Sequence, residues 1–292
     1  MEILDGVFNF CKLVFIATFN QLISVFGIFF FFGLLLYVFA RFTRITFVKS
    51  IGQKFDIYFT GWIGTPIHEI GHAIFCVFFG HKILEIKLFS PNAKDGSLGY
   101  VNHSYKTNNI WHKIGNFFIG LGPILFGSFI IFLLIKFLIP DNHLLLSMMD
   151  NQAVDLSSFK GLVQQFNILI ASAKSTINFL FTEKNIQSWE FWLFLYLALC
   201  ISSHMELSPP DIKGLGSGLL TIIVLLIVIN SICVFFEVDV SKFVQPISSL
   251  SQKLAGVFTF STIISAAFFG ASYFLLNIYT IIRYRTAFHP FY

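Results

Sequence analysis

The sequence predicts a mainly α-helical, polytopic membrane protein, with about six transmembrane helices and a small β-hairpin over residues 82–103. Three observations carry this. The chain of 292 residues is 56% hydrophobic, with 40 Phe and only 12% charged residues, where a soluble domain carries about 25% charge. Long uncharged runs recur, and Leu22 to Ala40 alone is about 28 Å long as a helix, enough to cross the hydrocarbon layer. Between His81 and His112 the pattern changes: Leu84, Ile86 and Leu88 alternate with Glu85 and Lys87, which is strand periodicity.

Taken in order, residues 1–56 read as a membrane anchor and polar linker. The first apolar run continues to Ala40, far beyond the short core of a cleavable signal. Lys12, Asn20 and Gln21 mark residues 7–21 as an interfacial lead-in, and Arg41, Arg44, Lys49 and Lys54 mark a polar boundary. Residues 57–236 form the core. Its first apolar stretch runs from Ile57 to Gly80, and Gly61, Gly64 and Pro66 predict a break or kink before His68. In the hairpin, Ser90-Pro91-Asn92 and Asp95-Gly96 are turn formers, and Leu98 to His103 is the return strand. The next span is Ile114 to Ile135, opened by Trp111, with Gly120-Leu121-Gly122-Pro123 allowing close helix contact.

Residues 140–188 are more polar, and Phe159, Leu162, Val163, Phe166, Ile170, Ala173, Ile177 and Leu180 recur at helical spacing. They predict an amphipathic helix lying on the membrane or capping the bundle. Trp189 to Met205 and Gly214 to Phe236 are further spans; residues 237–292 supply a loop and a last span, Leu254 to Ile282. Positive charge does not set the orientation, since the two sides hold nine and ten Lys and Arg. The net charge of +4 forms no basic block, so nucleic acid is not an expected partner. Cys11, Cys76, Cys200 and Cys233 lie in apolar stretches without a C-x-x-C pair and read as packed thiols.

The chemistry is concentrated in Thr65-Pro66-Ile67-His68-Glu69-Ile70-Gly71-His72. Histidines four apart share a helix face, so His68 and His72 can grip one metal ion. Glu69 is then placed to take a proton from an attacking water. Pro66 at a first helical position, with Thr65 as N-cap, suits a helix starting just before the pair, and Gly71 leaves room for a close neighbour. With 8 His and 7 Glu in the chain, H-E-x-x-H arises by chance only about 0.005 times.

A catalytic zinc keeps three protein ligands and one open position. The expected third is Asp211, which follows Pro209-Pro210 in the first turn of a membrane helix, where an acidic group requires compensation. Simple helix capping is the bland reading of the same residue. Glu206 and His204 are the rival ligands. His204, if it faces the metal, is a candidate to bind an oxyanion. His103 is a further candidate, since it falls on the predicted hairpin. His81, His112, His143 and His289 lie at segment ends and receive no role.

In these features the chain resembles the site-2 protease family of intramembrane zinc metalloproteases. His68-Glu69-x-x-His72, the hairpin, Gly122-Pro123 and Asp211 after a proline-containing break agree in order over residues 57–236. The resemblance implies one Zn2+ held by His68, His72 and Asp211, Glu69 as catalytic base, and membrane-embedded proteins as substrates. It also implies a multi-pass location in a bacterial cytoplasmic membrane. Where the family has Leu-Asp-Gly this chain has Pro210-Asp211-Ile212, and Phe126 and the Ser203-His204 region replace two family asparagines. It looks like a divergent member. A non-proteolytic membrane metal protein, either a scaffold or a transporter, is the competing expectation; an intact Glu69 argues against the scaffold.

Overall fold

The computed structural model describes residues 2–92, 97–140, 142, 159–238 and 241–289. Its elements are α1 (Glu2–Ser50), α2 (Gln53–Asp56), a π-helical turn (Ile57–Gly61), α3 (Trp62–Phe78), β1 (Lys82–Lys87), β2 (Tyr100–Ser104) and α4 (Ile110–Leu138). Then come α5 (Phe159–Leu180), α6 (Glu183–Ile186), α7 (Trp189–Ser203), α8 (Pro209–Phe235) and α9 (Ser241–Tyr284). Among the described residues, four helices are long and apolar enough to cross a membrane, over Leu4–Ser50, Ile110–Leu138, Pro209–Phe235 and Leu254–Tyr284. The motif helix α3 has 17 residues and α7 has 15, about 25 and 22 Å at 1.5 Å per residue. Helix α7 alone falls short of the ≈ 30 Å hydrocarbon thickness, whereas α3 continues without a break from α2 and the π-helical turn.

Helix α4 is the hub, packing on α3, α7 and α8, while α1 lies along α9 and also touches α8. Phenylalanine fills the joints. Phe32, Phe117, Phe191 and Phe194 are fully buried. Phe26 meets Phe117 edge-on at 5.1 Å and Phe29 meets Phe258 at 5.8 Å, tying α1 to α4 and α9. Helix starts are capped by local chemistry: the Asn109 side chain accepts from the Trp111 and His112 amides, and Ser188 accepts from Phe191.

Residues 7–21 belong to one continuous helix, α1, together with the span that follows them. Gln21 is buried there because Asn230 of α8 satisfies it, each amide donating to the other at 2.9 Å, and Asn230 also donates to Thr18. The motif helix does not begin at Pro66 with Thr65 as cap. It begins at Trp62 and carries Pro66 inside it. The irregularity before His68 falls earlier, as the π-helical turn Ile57–Gly61.

The hairpin is present as a two-stranded antiparallel sheet, with Ile83 opposite His103 and a bulge between Ile83 and Glu85. Asp95 and Gly96 lie outside the described residues, as does His143. Helix α5 occupies the amphipathic stretch. Val163, Phe166, Ile170 and Ile177 are exposed while Ser172, Thr176 and Leu180 are buried, so most of the apolar stripe faces outward and its last member, Leu180, packs into the core.

Candidate metal centre

On α3, His68 and His72 each set their ring with a backbone carbonyl. His68 Nδ1 lies 2.7 Å from the His204 oxygen and His72 Nδ1 lies 2.7 Å from the Ile119 oxygen. A carbonyl only accepts, so each Nδ1 carries the proton and each Nε2 of the neutral ring presents a lone pair. Those two Nε2 atoms face each other at 3.2 Å. Asp211 completes the group, with Oδ1 3.2 Å from His72 Nε2 and Oδ2 3.7 Å from His68 Nε2.

Both accepting carbonyls are free for a reason legible in the chain. The Ile119 oxygen would normally accept from residue 123, but Pro123 has no N–H. The His204 oxygen lies just past the end of α7 at Ser203. Asp211 is held from the other side: its Oδ2 accepts from the Ser208 amide at 2.7 Å and the Ser208 hydroxyl at 2.6 Å. It therefore serves as the N3 partner of the Ser208 capping box of α8 and as part of the cluster at once.

Two imidazole nitrogens and the two oxygens of the Asp211 carboxylate thus converge, with contacts of 3.2–3.7 Å, an arrangement of acceptors that repels itself unless a positive charge sits among them. Two nitrogens bound at 2.0–2.1 Å to one tetrahedral zinc lie about 3.3 Å apart, close to the distance between the two Nε2 atoms. The carbonyl partners on Nδ1 are the outer hydrogen bonds that metal-bound imidazoles need. The donor set fits a borderline divalent cation such as Zn2+.

Glycines bring the elements this close. A β-carbon at Gly71 would lie 2.7 Å from the Gly122 oxygen, and one at Gly122 would lie 2.6 Å from the Gly71 oxygen, so α3 and α4 cross backbone to backbone. At Gly120 a β-carbon would lie 2.7 Å from the Asp211 oxygen, which seats α8 beside the site. At Gly64 it would run into the Cys200 oxygen and the His204 ring.

Glu69 is buried and lines two cavities, of about 310 and 440 Å³. The first opens among Arg41, Arg44 and Glu206; the second contains His68, His72, Asp211 and His103. The returning arm of the hairpin closes over Glu69, since a β-carbon at Gly99 would lie 2.8 Å from Glu69 Cγ. Asn116 of α4 also lines the larger cavity, a polar group that sequence reasoning did not single out.

The rival ligands sit elsewhere. Glu206 Oε1 pairs with Arg41 at 3.4 Å. His204 contributes its backbone oxygen to His68, while its Nδ1 lies 3.1 Å from the Cys200 oxygen. Its buried Nε2 has no hydrogen-bond partner among the described residues. With the proton on Nδ1, that Nε2 is an acceptor, not an oxyanion donor. His103 Nδ1 lies 3.0 Å from His81 Nδ1. Burial, and then the neighbouring His81 and His72, push the His103 pKa down to about 4, so the ring is neutral near pH 7.

Comparison with protein-family models, with curated proteins and with solved structures finds no significant match to this chain.

Proposed function

We propose that this protein is an intramembrane zinc metalloprotease of the site-2 type, hydrolysing peptide bonds of membrane-embedded proteins. In this reading α3 and α7 join the four long helices to give six membrane segments. The observation that carries the proposal is the convergence of His68 Nε2, His72 Nε2 and the Asp211 carboxylate, with Glu69 in the same cavity.

When held by His68, His72 and Asp211, zinc supplies Lewis acidity, polarising a carbonyl and bringing the pKa of a water towards ~7. The remaining work belongs to the chain. The Ile119 and His204 carbonyls fix the imidazoles in the ligand tautomer, and Ser208 fixes Asp211. Glu69 takes the proton of the attacking water and returns it to the leaving amine. A substrate helix hides its peptide bonds and must unwind. A free edge of the β1–β2 hairpin, next to Glu69 through Ser97–Gly99, holds it extended. Water reaches Glu69 by way of the Arg41, Arg44 and Glu206 side of the smaller cavity.

The test uses Glu69→Gln. Cells expressing the wild type are expected to show new protein termini inside transmembrane segments of other membrane proteins. Glu69→Gln should keep its metal and show none of them. Identical termini with both chains would remove Glu69, and the proteolytic reading with it.

A further inference from the structure

A second group of ligand-type side chains lies one turn beyond the first. Cys76 follows His68 and His72 at the same four-residue interval, so the three share one face of α3. The Cys76 thiol and the His81 and His103 rings each offer a ligand atom within 4.8 Å of the other two. Cys76 and His81 are buried.

The backbone builds this group. Helix α3 ends in a Schellman turn: Gly80 has φ +72°, the Gly80 amide donates to the Val77 oxygen at 3.1 Å, and the His81 amide donates to the Cys76 oxygen at 2.8 Å. That turn folds His81 back over Cys76. The sheet register then sets His103 opposite Ile83, two residues beyond His81.

The tautomer is fixed as in the first group. His81 Nε2 lies 2.8 Å from the His112 carbonyl oxygen and so carries the proton, leaving a lone pair on Nδ1. That lone pair faces His103 Nδ1 at 3.0 Å, near the spacing of two nitrogens on one tetrahedral ion.

The geometry points to a second metal centre, in which Cys76 Sγ, His81 Nδ1 and His103 Nδ1 bind one Zn2+. One thiolate and two neutral imidazoles are a borderline-to-soft donor set that suits this ion. Binding releases one proton, from the Cys76 thiol; His81 binds through its existing Nδ1 lone pair, and the neutral His103 ring binds after its proton shifts from Nδ1 to Nε2, a change of tautomer that releases none. The ion ties the last turn of α3 to the residue that leads into β1 and to β2, and so holds the arm that covers Glu69. This centre stands whether or not the first is proteolytic.

Metal content of the full chain in detergent tests it, with Zn2+ and Co2+ as the only added ligands. The wild type is expected to hold two ions, Cys76→Ser and His72→Ala one each, and the double variant none. The Co2+ form of the wild type and of His72→Ala should show a thiolate-to-cobalt charge-transfer absorption in the near ultraviolet, lost in Cys76→Ser. Because that band is read on the wild type, the test does not depend on any variant folding. A Co2+-loaded wild type without the band overturns the centre. So does a single ion that is lost in His72→Ala and kept in Cys76→Ser, a result that leaves the first site standing. A single ion lost only in Cys76→Ser supports this centre and removes the first.

Discussion

Gly71→Ala is expected to damage the metal site through a helix crossing that contacts no metal. The added β-carbon would lie 2.7 Å from the Gly122 oxygen, 2.8 Å from the Gly122 carbonyl carbon and 2.9 Å from the Pro123 nitrogen. Ordinary contact begins at 3.4 Å, so the shortfall is about 0.7 Å, and every opposing atom is backbone. No rotamer relieves it; α3 must move away from α4. The same displacement would stretch the 2.7 Å contact from His72 Nδ1 to the Ile119 oxygen to about 3.4 Å, past the hydrogen-bonding range. Overpacking of this kind costs about 1–3 kcal/mol, and loss of an outer-shell partner lowers metal affinity about 10–100-fold. Zinc competition against a chromophoric chelator reads the affinity, and thermal unfolding in detergent reads the stability. Gly270→Ala is the control, since nothing lies within 4 Å of a β-carbon there; it should leave metal affinity alone. Wild-type zinc affinity in Gly71→Ala would refute the reasoning.

Pro123→Ala restores an amide that competes with His72 for the Ile119 oxygen. Zinc affinity should fall about 10-fold or more while the unfolding temperature holds or rises, a split that chelator competition and calorimetry together detect. The amide pair between α1 and α8 should be asymmetric. Asn230→Leu strands Gln21, whereas Gln21→Leu leaves Asn230 its bond to Thr18. Of two losses of about 1–3 kcal/mol, the Asn230 variant should show the larger in thermal unfolding. Gly80→Ala forces a side chain into a left-handed turn at φ +72°, at about 1–2 kcal/mol. It should loosen the hairpin, read as faster hydrogen exchange over Ile83–Lys87.

What could be read from the chain was what short-range pattern encodes. The alternation at Leu84–Leu88, the helical stripe over Phe159–Leu180 and the uncharged runs each describe one element facing one environment, and the corresponding elements are present. The long-range partners could not be read. The pairing of Gln21 was hidden because its amide partner, Asn230, lies 209 residues away. Thr65-Pro66 looked like a helix start, yet α3 begins at Trp62, where Gly64 lets it pack against the Cys200 carbonyl. Hydropathy marks the motif helix and α7 as spans too, whereas by length and composition four helices of the described residues qualify.

The same division holds at the site. His68 and His72 announce themselves by spacing, and Asp211 by the oddity of a carboxylate in an apolar helix. The carbonyls of Ile119 and His204 have no side-chain signature. Only Pro123, four residues after Ile119, hints that one of them is released. Ser208 was available as the first residue of Ser-x-x-Asp. Cys76 continued the four-residue spacing of the histidines, but its partners arrive through a turn and a strand register that no local pattern displays.

The claim beneath all of this is that His68, His72 and Asp211 hold one ion together. Its most direct measurement is the zinc content of purified wild type, His72→Ala and Asp211→Ala, with folding checked by size exclusion. Asp211→Ala should lose the same single equivalent that His72→Ala loses. If Asp211→Ala keeps the wild-type zinc content and affinity, the carboxylate only caps α8 and the proposed centre is wrong.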